Sequence, residues 1–478
     1  MPAALGVALA AVGGAVAGHR LGVASGAGLV VPSALALMAV RWSARRRAGL
    51  CAPAGRVPRE GSRVLTAMVL VAAVAALRAD AEWRTVSSAE FGPWRGWATV
   101  ATDPAPRGSA TSVVMRLDGR RFEAWAYGRH RRIVMSLEAG DRVWLSGVRS
   151  AIGDPAARHR AAVRHVLGRL RLDLIADVRD GPAAAVAANR IRDMLRSSAE
   201  RSMDSRHAAL FTGLVIGDDA RQEPAMVDEF RAAGLSHLTA VSGQNVAFVL
   251  LAAGPLLRRL PPWTRWCGTL AVIAGFSAVA RGEPSVMRAG VMAALSATAF
   301  TVGRPVDPLR LLGLAVTGLV VIDPFLAYSV GFWLSVGATA GVCALAPVVE
   351  HRLPGPRWVT MPLSLTIAAQ AGVALPAMLV FGRLPAVALL ANPAASAVAG
   401  FVMLAGIPSA AVSAVLSALG AAAVGDAVMW PAAAGTRWVA DVARLAGAVP
   451  LPAGASLAAW LALAAWLALR RPRTPVPI

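Results

Sequence analysis

Lysine is missing from this 478-residue chain, so all 48 of its basic side chains are arginine. A phosphate-binding loop of the form G-x-x-x-x-G-K-[ST] therefore cannot exist, and any ATP-driven motor work must come from another protein. The three cysteines, Cys51, Cys267 and Cys343, are odd in number and scattered, which excludes a disulfide framework and offers no zinc spacing. Its seven histidines occur singly, with neither H-E-x-x-H nor a His/Asp cluster that would hold catalytic zinc. No metal or cofactor is expected. Charge is also sparse: 16% of residues are charged against a hydrophobic fraction of 56%, and mean hydropathy is +0.57. Long uncharged stretches of this kind suit lipid better than a soluble core.

By the requirement of roughly 20 apolar residues per crossing, the chain holds about twelve candidate spans. Three fall near residues 3–18, 21–40 and 64–79, and about nine between 235 and 470. The run from Ala3 to Ala17 lacks a basic leader and is followed at once by a second apolar run, so it reads as a span, not a signal peptide. Between Arg41 and Arg63 seven arginines face the single Glu60, which places that loop in the cytoplasm. Alternation from there puts the next domain outside. It also puts Arg258, Arg259, Arg265, Arg304, Arg310 and the terminal Arg470, Arg471 and Arg473 inside, so the parity agrees at each basic group. Residues 425–450, with Asp426, Arg437, Asp441 and Arg444, suit an interfacial amphipathic helix better than a span.

Strands replace spans between Ala81 and Arg206. Thr111–Leu117, the Asp118-Gly119 turn and Arg121–Trp125 predict a hairpin. Leu137–Gly147 and Arg169–Val178 supply further strands, and several short strands in about 100 residues suggest a small barrel. This region carries 22 arginines against 14 acidic residues. Arg120, Arg121, Arg129, Arg131 and Arg132 cluster around Trp125 and Tyr127, and a second group spans Arg158 to Arg171. Such clusters suit a phosphate backbone, with aromatic faces to stack unpaired bases. A solvated arginine-rich surface, or attraction to anionic headgroups, accounts for the same charge.

From Gly213 to Val249 polar residues run straight into a membrane-length apolar stretch. This segment is followed by Gly282-Glu283-Pro284-Ser285 with Arg288, by Asp307-Pro308-Leu309-Arg310, and by Asp323-Pro324 with Gly331-Phe332-Trp333-Leu334-Ser335. In content and order these motifs resemble the ComEC/Rec2 competence family, most closely over residues 205–410. The resemblance implies a multi-pass protein of the bacterial plasma membrane that passes single-stranded DNA into the cytoplasm during natural transformation. It also implies that the small barrel is OB-like. Many family members append a metallo-β-lactamase-like nuclease domain; this chain ends at Ile478 without one, so a separate nuclease is expected beside the separate motor. Homo-oligomerisation is left open.

The fold expected is thus a polytopic α-helical membrane protein with an inserted OB-like extracytoplasmic barrel. Residues 1–80 form N-terminal spans, 81–180 the barrel, 181–234 a helical connector, 235–470 the competence-type bundle and 471–478 a basic tail. Read as one helix from Ser236 to Leu250, His237 and Gln244 fall about 20° apart, while Ser236, Thr239, Ser242 and Asn245 form a ridge. Polar groups in lipid need partners or water. Interhelical hydrogen bonding is the favoured role for Ser236, Thr239 and Ser242. The candidate DNA path comprises His237, Ser242, Gln244, Asn245, Glu283 and Arg288; the DNA-binding surface comprises Arg120, Arg121, Trp125, Arg129, Arg131 and Arg132. Relatives place a second histidine where this chain has Asn245, so a proton or metal role is not expected there. An Arg281–Glu283 pair at a helix mouth, capping by Asp307 and Asp323, and a broken helix at Asn392-Pro393 are further expectations.

An enzyme is the competing class. His237 and Ser242 would lie about 140° apart on a regular helix, poor geometry for a nucleophile and its base, and Ser242 is not in a nucleophile elbow. No catalytic residues are assigned. The alternative to DNA conduction is transport of a small solute or lipid, with the arginine-rich domain meeting headgroups.

Overall fold

The computed structural model describes residues 2–21, 59–88, 90–239, 243–304, 306–382, 385–449 and 452–470. The candidate span at 21–40, most of the arginine-rich loop after it and the tail from 471 lie outside the described residues.

Helix α1 (Pro2–Leu21) and α2 (Arg59–Ser87) lie against each other through small residues. A Cβ on Gly14 would sit 2.2 Å from the Ala72 carbonyl oxygen, and one on Gly18 would sit 2.3 Å from that of Ala76. Ascending partners on both helices mean that the two run in the same direction. Without a hydrophobic drive inside lipid, such backbone contact is what lets helices associate.

The chain then enters a barrel made of β1 (Gly92–Val100), β2 (Ala105–Arg107), β3 (Ala110–Leu117), β4 (Arg120–Ala126), β5 (Arg142–Ser150) and β6 (Val166–Arg179). Pairing runs β1-β5-β6-β4-β3 and returns from β3 to β1, closing five strands, with β2 added beside β3. β4 and β6 are parallel and the other pairs antiparallel. Helix α3 (Gly128–Met135) joins β4 to β5 and buries Val134, and α4 (Pro155–Ala162) lies between β5 and β6. This is an OB-like barrel.

The predicted hairpin is present as β3 and β4. Asp118 and Gly119 both have positive φ, 49° and 80°, as a two-residue turn matched to strand twist requires. Alternation then turns Met115, Leu117, Phe122 and Ala124 into the core with Leu145 and Leu170. Register shifts in β5 opposite β6 bend that long pair around the barrel. The strand expected from Leu137 starts only at Arg142, because Asp141 accepts from the Glu138 backbone N–H and Gly140 takes a φ of 105° in the preceding turn.

Connector helices α5 (Ala183–Ser202), α6 (Ser205–Ile216) and α7 (Pro224–Ala232) lead into the bundle. It contains α8 (Ser236–Thr239), α9 (Gly243–Leu257), α10 (Pro262–Val279), α11 (Pro284–Thr301), α12 (Pro308–Ile322), α13 (Val330–Glu350), α14 (Arg357–Phe381), α15 (Ala388–Ala418), α16 (Ala422–Gly447) and α17 (Ala453–Leu469). A 3₁₀ turn at Pro324–Tyr328 separates α12 from α13. Acid-proline pairs open several elements, since proline at the first helical position forfeits a donor that has no helical partner anyway. Asp307 accepts from the Leu309 and Arg310 N–H groups and Asp323 from that of Phe325, so both expected caps are present. α13 and α14 pack antiparallel through glycine: a Cβ on Gly372 would lie 2.1 Å from the Gly337 oxygen.

About twelve spans are not supported. Among the described residues 4 helices are long and apolar enough to cross a membrane: Ala3–Arg20, Val330–Glu350, Arg357–Phe381 and Ala388–Ala418. Gly243–Leu257, Pro308–Ile322 and Gly454–Leu469 are apolar but shorter. Proline starts trim Pro308–Ile322 and Ala453–Leu469, and with Gly243–Leu257 these helices run for between 15 and 17 residues, short of a full crossing. Nor is the helix broken at Asn392-Pro393. α15 continues through Pro393 and Pro408, with Asn392 buried on its inner side. Neighbouring helices make proline tolerable inside a membrane helix.

Candidate functional site

Three of the separated sequence motifs meet at one buried cation. Arg288, one turn into α11, is 4% exposed. Its Nε and Nη2 donate to Ser335 Oγ of α13 at 2.9 and 2.5 Å, and Nη1 approaches Met292 Sδ at 3.5 Å. Gly243, the first residue of α9, fits against the same guanidinium; a Cβ there would lie 3.1 Å from Arg288 Nη2. Among the described residues no carboxylate pairs with Arg288. A buried cation whose hydrogen-bond partners among the described residues are a hydroxyl and a thioether is costly unless a further anion reaches it.

The other proposed path residues divide. His237, the second residue of α8, and Gln244, at the start of α9, are exposed, while Ser242 lies outside the described residues. The single helix expected from Ser236 to Leu250, with its stripe and ridge, runs through residues 240–242, which lie outside the described residues; α8 and α9 cover its two ends. Thr239 Oγ1 donates locally to the Ser236 carbonyl at 3.1 Å. Asn245 does not face open space. It is 1% exposed, and its Nδ2 donates to the Leu214 and Val215 carbonyls at 2.8 and 3.3 Å, satisfying the last turn of α6. Glu283, exposed at the mouth of α11, has its carboxyl pushed up by the protein packed around it and then by nearby Asp219.

Glu283 does not pair with Arg281. The Arg281 side chain turns instead to the barrel, where Nη2 and Nε donate to Asp103 Oδ1 and Oδ2 at 2.7 and 3.0 Å. Asp103 sits between β1 and β2, and its Oδ2 also accepts from Arg192 of α5 at 2.9 Å. The network continues through Asp218, which is 3.2 Å from Arg192 and accepts from Arg196 at 2.9 Å. Burial alone would raise the Asp103 carboxyl; Arg192 and Arg281 outweigh it and hold the carboxyl below its ordinary range. The β5–β6 loop makes a second junction. His165 Nε2 lies 3.0 Å from Asp323 Oδ2, and His159 stacks on Trp83 of α2, which also stacks on His19 of α1 at 3.8 Å and meets Phe325 edge-on at 4.9 Å.

Both loops that OB-type barrels turn toward ligands are thus engaged by the helical body. The outer face of β3, β4 and β6 is covered at Val114 by α4 and its neighbours and carries exposed Arg116 beside half-buried Arg121 and Trp125. Register places Arg116 opposite Arg121, and Trp125 opposite Arg171. Arg129, Arg131 and Arg132 lie on α3 and have no carboxylate partner among the described residues. Arg120 is tied back, donating to the Ser88 carbonyl at 3.2 Å. Sequence reasoning missed Ser335 as the partner of Arg288, although the motif holding it was recognised. It also missed Asp103, whose pairing depends on a loop far from the bundle in sequence.

A family model described as "Competence: Competence protein" matches residues 214–474, which include Gly243, Arg288 and Ser335. The chain is similar to "Competence protein ComA" of Neisseria gonorrhoeae, 29% identical over 188 residues. That similarity covers 35% of this chain and 26% of the relative, so the chain spans about a quarter of the length of the curated relative it matches. No solved structure matches the chain.

Proposed function

The chain belongs to the competence protein family, and on that footing we propose that it conducts single-stranded DNA across the bacterial plasma membrane into the cytoplasm during natural transformation. The observation that carries this reading is the buried Arg288 cation, held between the Gly243 and Ser335 motifs with no carboxylate partner among the described residues. A passing phosphate supplies the anion that the protein withholds, and Gly243 leaves room beside the guanidinium. Exposed His237 and Gln244 at the α8–α9 junction are the polar surface through which a strand reaches it. Outside, Arg116, Arg121, Trp125 and the three arginines of α3 gather the strand by charge and stacking. A motor protein pulls it, since a chain without lysine has no phosphate-binding loop of its own.

Uptake of labelled DNA by a competent host tests the reading. Arg288→Gln at normal membrane levels should lower uptake, and Gln244→Leu should do the same. If labelled DNA enters at the wild-type rate in both variants, conduction does not run past these residues.

A further inference from the structure

At the end of the bundle opposite the barrel contacts, α9, α10 and α11 enclose an open groove of about 350 Å³. Leu250, Ala293 and Ala297 make its walls apolar, while Arg265, Trp266 and Phe300 form its rim. The Arg265 guanidinium lies 5.6 Å from the Phe300 ring centre, and Trp266 Nε1 donates to Thr298 Oγ1 at 3.0 Å, fixing the indole at the mouth. Trp263 packs edge-on against Trp266 at 6.2 Å. The reversal between α9 and α10 brings exposed Arg258 and Arg259 to the same end. Among the described residues Arg258, Arg259 and Arg265 have no carboxylate partner.

We propose that this groove is a binding site for an anionic phospholipid. The phosphate sits on Arg265 with Arg258 and Arg259 beside it, and one acyl chain lies along Leu250, Ala293 and Ala297. The placement rests on the arginine bias that puts this end in the cytoplasm, where anionic headgroups are concentrated. It is independent of whether DNA passes through the bundle. Tryptophans at a mouth are the usual anchors at headgroup level, and Trp263 and Phe300, 65% and 70% exposed, present apolar surface sideways toward hydrocarbon. A zwitterionic headgroup would leave its ammonium without a carboxylate in the groove. A DNA strand would leave the apolar walls uncovered.

The test uses the full chain, purified in detergent, exposed to mixed micelles of phosphatidylglycerol or phosphatidylcholine, repurified and assayed for retained lipid by mass spectrometry. Phosphatidylglycerol should be retained preferentially. Arg265→Gln should reduce its retention about fivefold, the worth of one arginine near an anionic surface, while Arg265→Lys keeps most of it. Should Arg265→Gln fail to fold, the exposed pair Arg258→Gln with Arg259→Gln should give a loss of the same sense. Equal retention of the two lipids, unchanged retention in these variants, or displacement of lipid by oligothymidylate at low salt would overturn the proposal, the last assigning the groove to a nucleic acid.

Discussion

Asp103 and Arg281 stand 178 residues apart in the chain, and Arg281 donates two hydrogen bonds to the Asp103 carboxylate, at 2.7 and 3.0 Å. Arg281 holds a left-handed backbone, φ 59°, to do so. A non-glycine residue in that conformation costs about 1 kcal/mol, so the fold accepts local strain to aim this guanidinium at the barrel. The pair, with Arg192, ties the barrel to the helical body through polar contacts.

Removing Asp103 leaves Arg192 and Arg281 short of an anion. Asp103→Asn should destabilise the protein by about 3 kcal/mol, the usual cost of stranding a buried charge, measurable as a lower thermal midpoint. The pH dependence has a definite sign. Because the carboxyl is held below its usual value of 3.8, its contribution is present above that value and lost as pH falls through the depressed one. The wild-type advantage over Asp103→Asn should therefore persist through mildly acidic pH and vanish only in strong acid.

Glu283 behaves in the opposite way. Burial and Asp219 raise its carboxyl, so its contribution to stability is fully present below the ordinary carboxylate value and lost as pH rises through the raised one. Glu283→Gln should raise the thermal midpoint at neutral pH, and the difference should close on acidification. A midpoint difference that does not change with pH would remove Glu283 as the titrating group.

The open arginines of α3 predict a salt effect. Binding of oligothymidylate by the full chain should weaken steeply with salt, and replacing Arg129, Arg131 and Arg132 by Gln together should reduce the log–log slope by about two, as expected for three lost contacts to a single strand. An unchanged slope would make α3 a solvated surface.

Topology follows from arginine bias. Cysteine labelling should find Gly55 and Thr474 inside and Gly108, at the tip between β2 and β3, outside. Labelling of Gly108 from the cytoplasm would contradict the placement of the barrel and of the lipid groove together.

Local chemistry was the legible part of this chain. Asp118-Gly119 announced the β3–β4 hairpin, and Asp307 and Asp323 announced their caps, because each acts over two or three residues. Closure of β1 onto β3 was not legible. Gly92, Pro93 and Gly96 break the alternation that marks a strand, and the barrel supplies the pairing that they lack locally. Histidines that look solitary in sequence meet in space: His19 and His159 flank Trp83. Gly243, Arg288 and Ser335 were each inside a recognised motif, yet only the packing of α9, α11 and α13 shows that they share one site. Asn245, a polar residue on an apolar helix, gave the same signal as a path residue although it caps α6.

The central claim is that the Arg288 charge serves a passing strand and not merely the α11–α13 contact. Uptake of labelled single strands should be compared in Arg288→Gln and Ser335→Ala cells at matched membrane levels. Ser335→Ala removes the hydroxyl that binds the guanidinium but keeps the cation. The account predicts at least a tenfold loss for Arg288→Gln, about the 1.4 kcal/mol of one charge-assisted contact, with uptake largely retained in Ser335→Ala. Equal uptake in Arg288→Gln and wild type, or equal losses in the two variants, would contradict it and leave Arg288 as an interhelical tie.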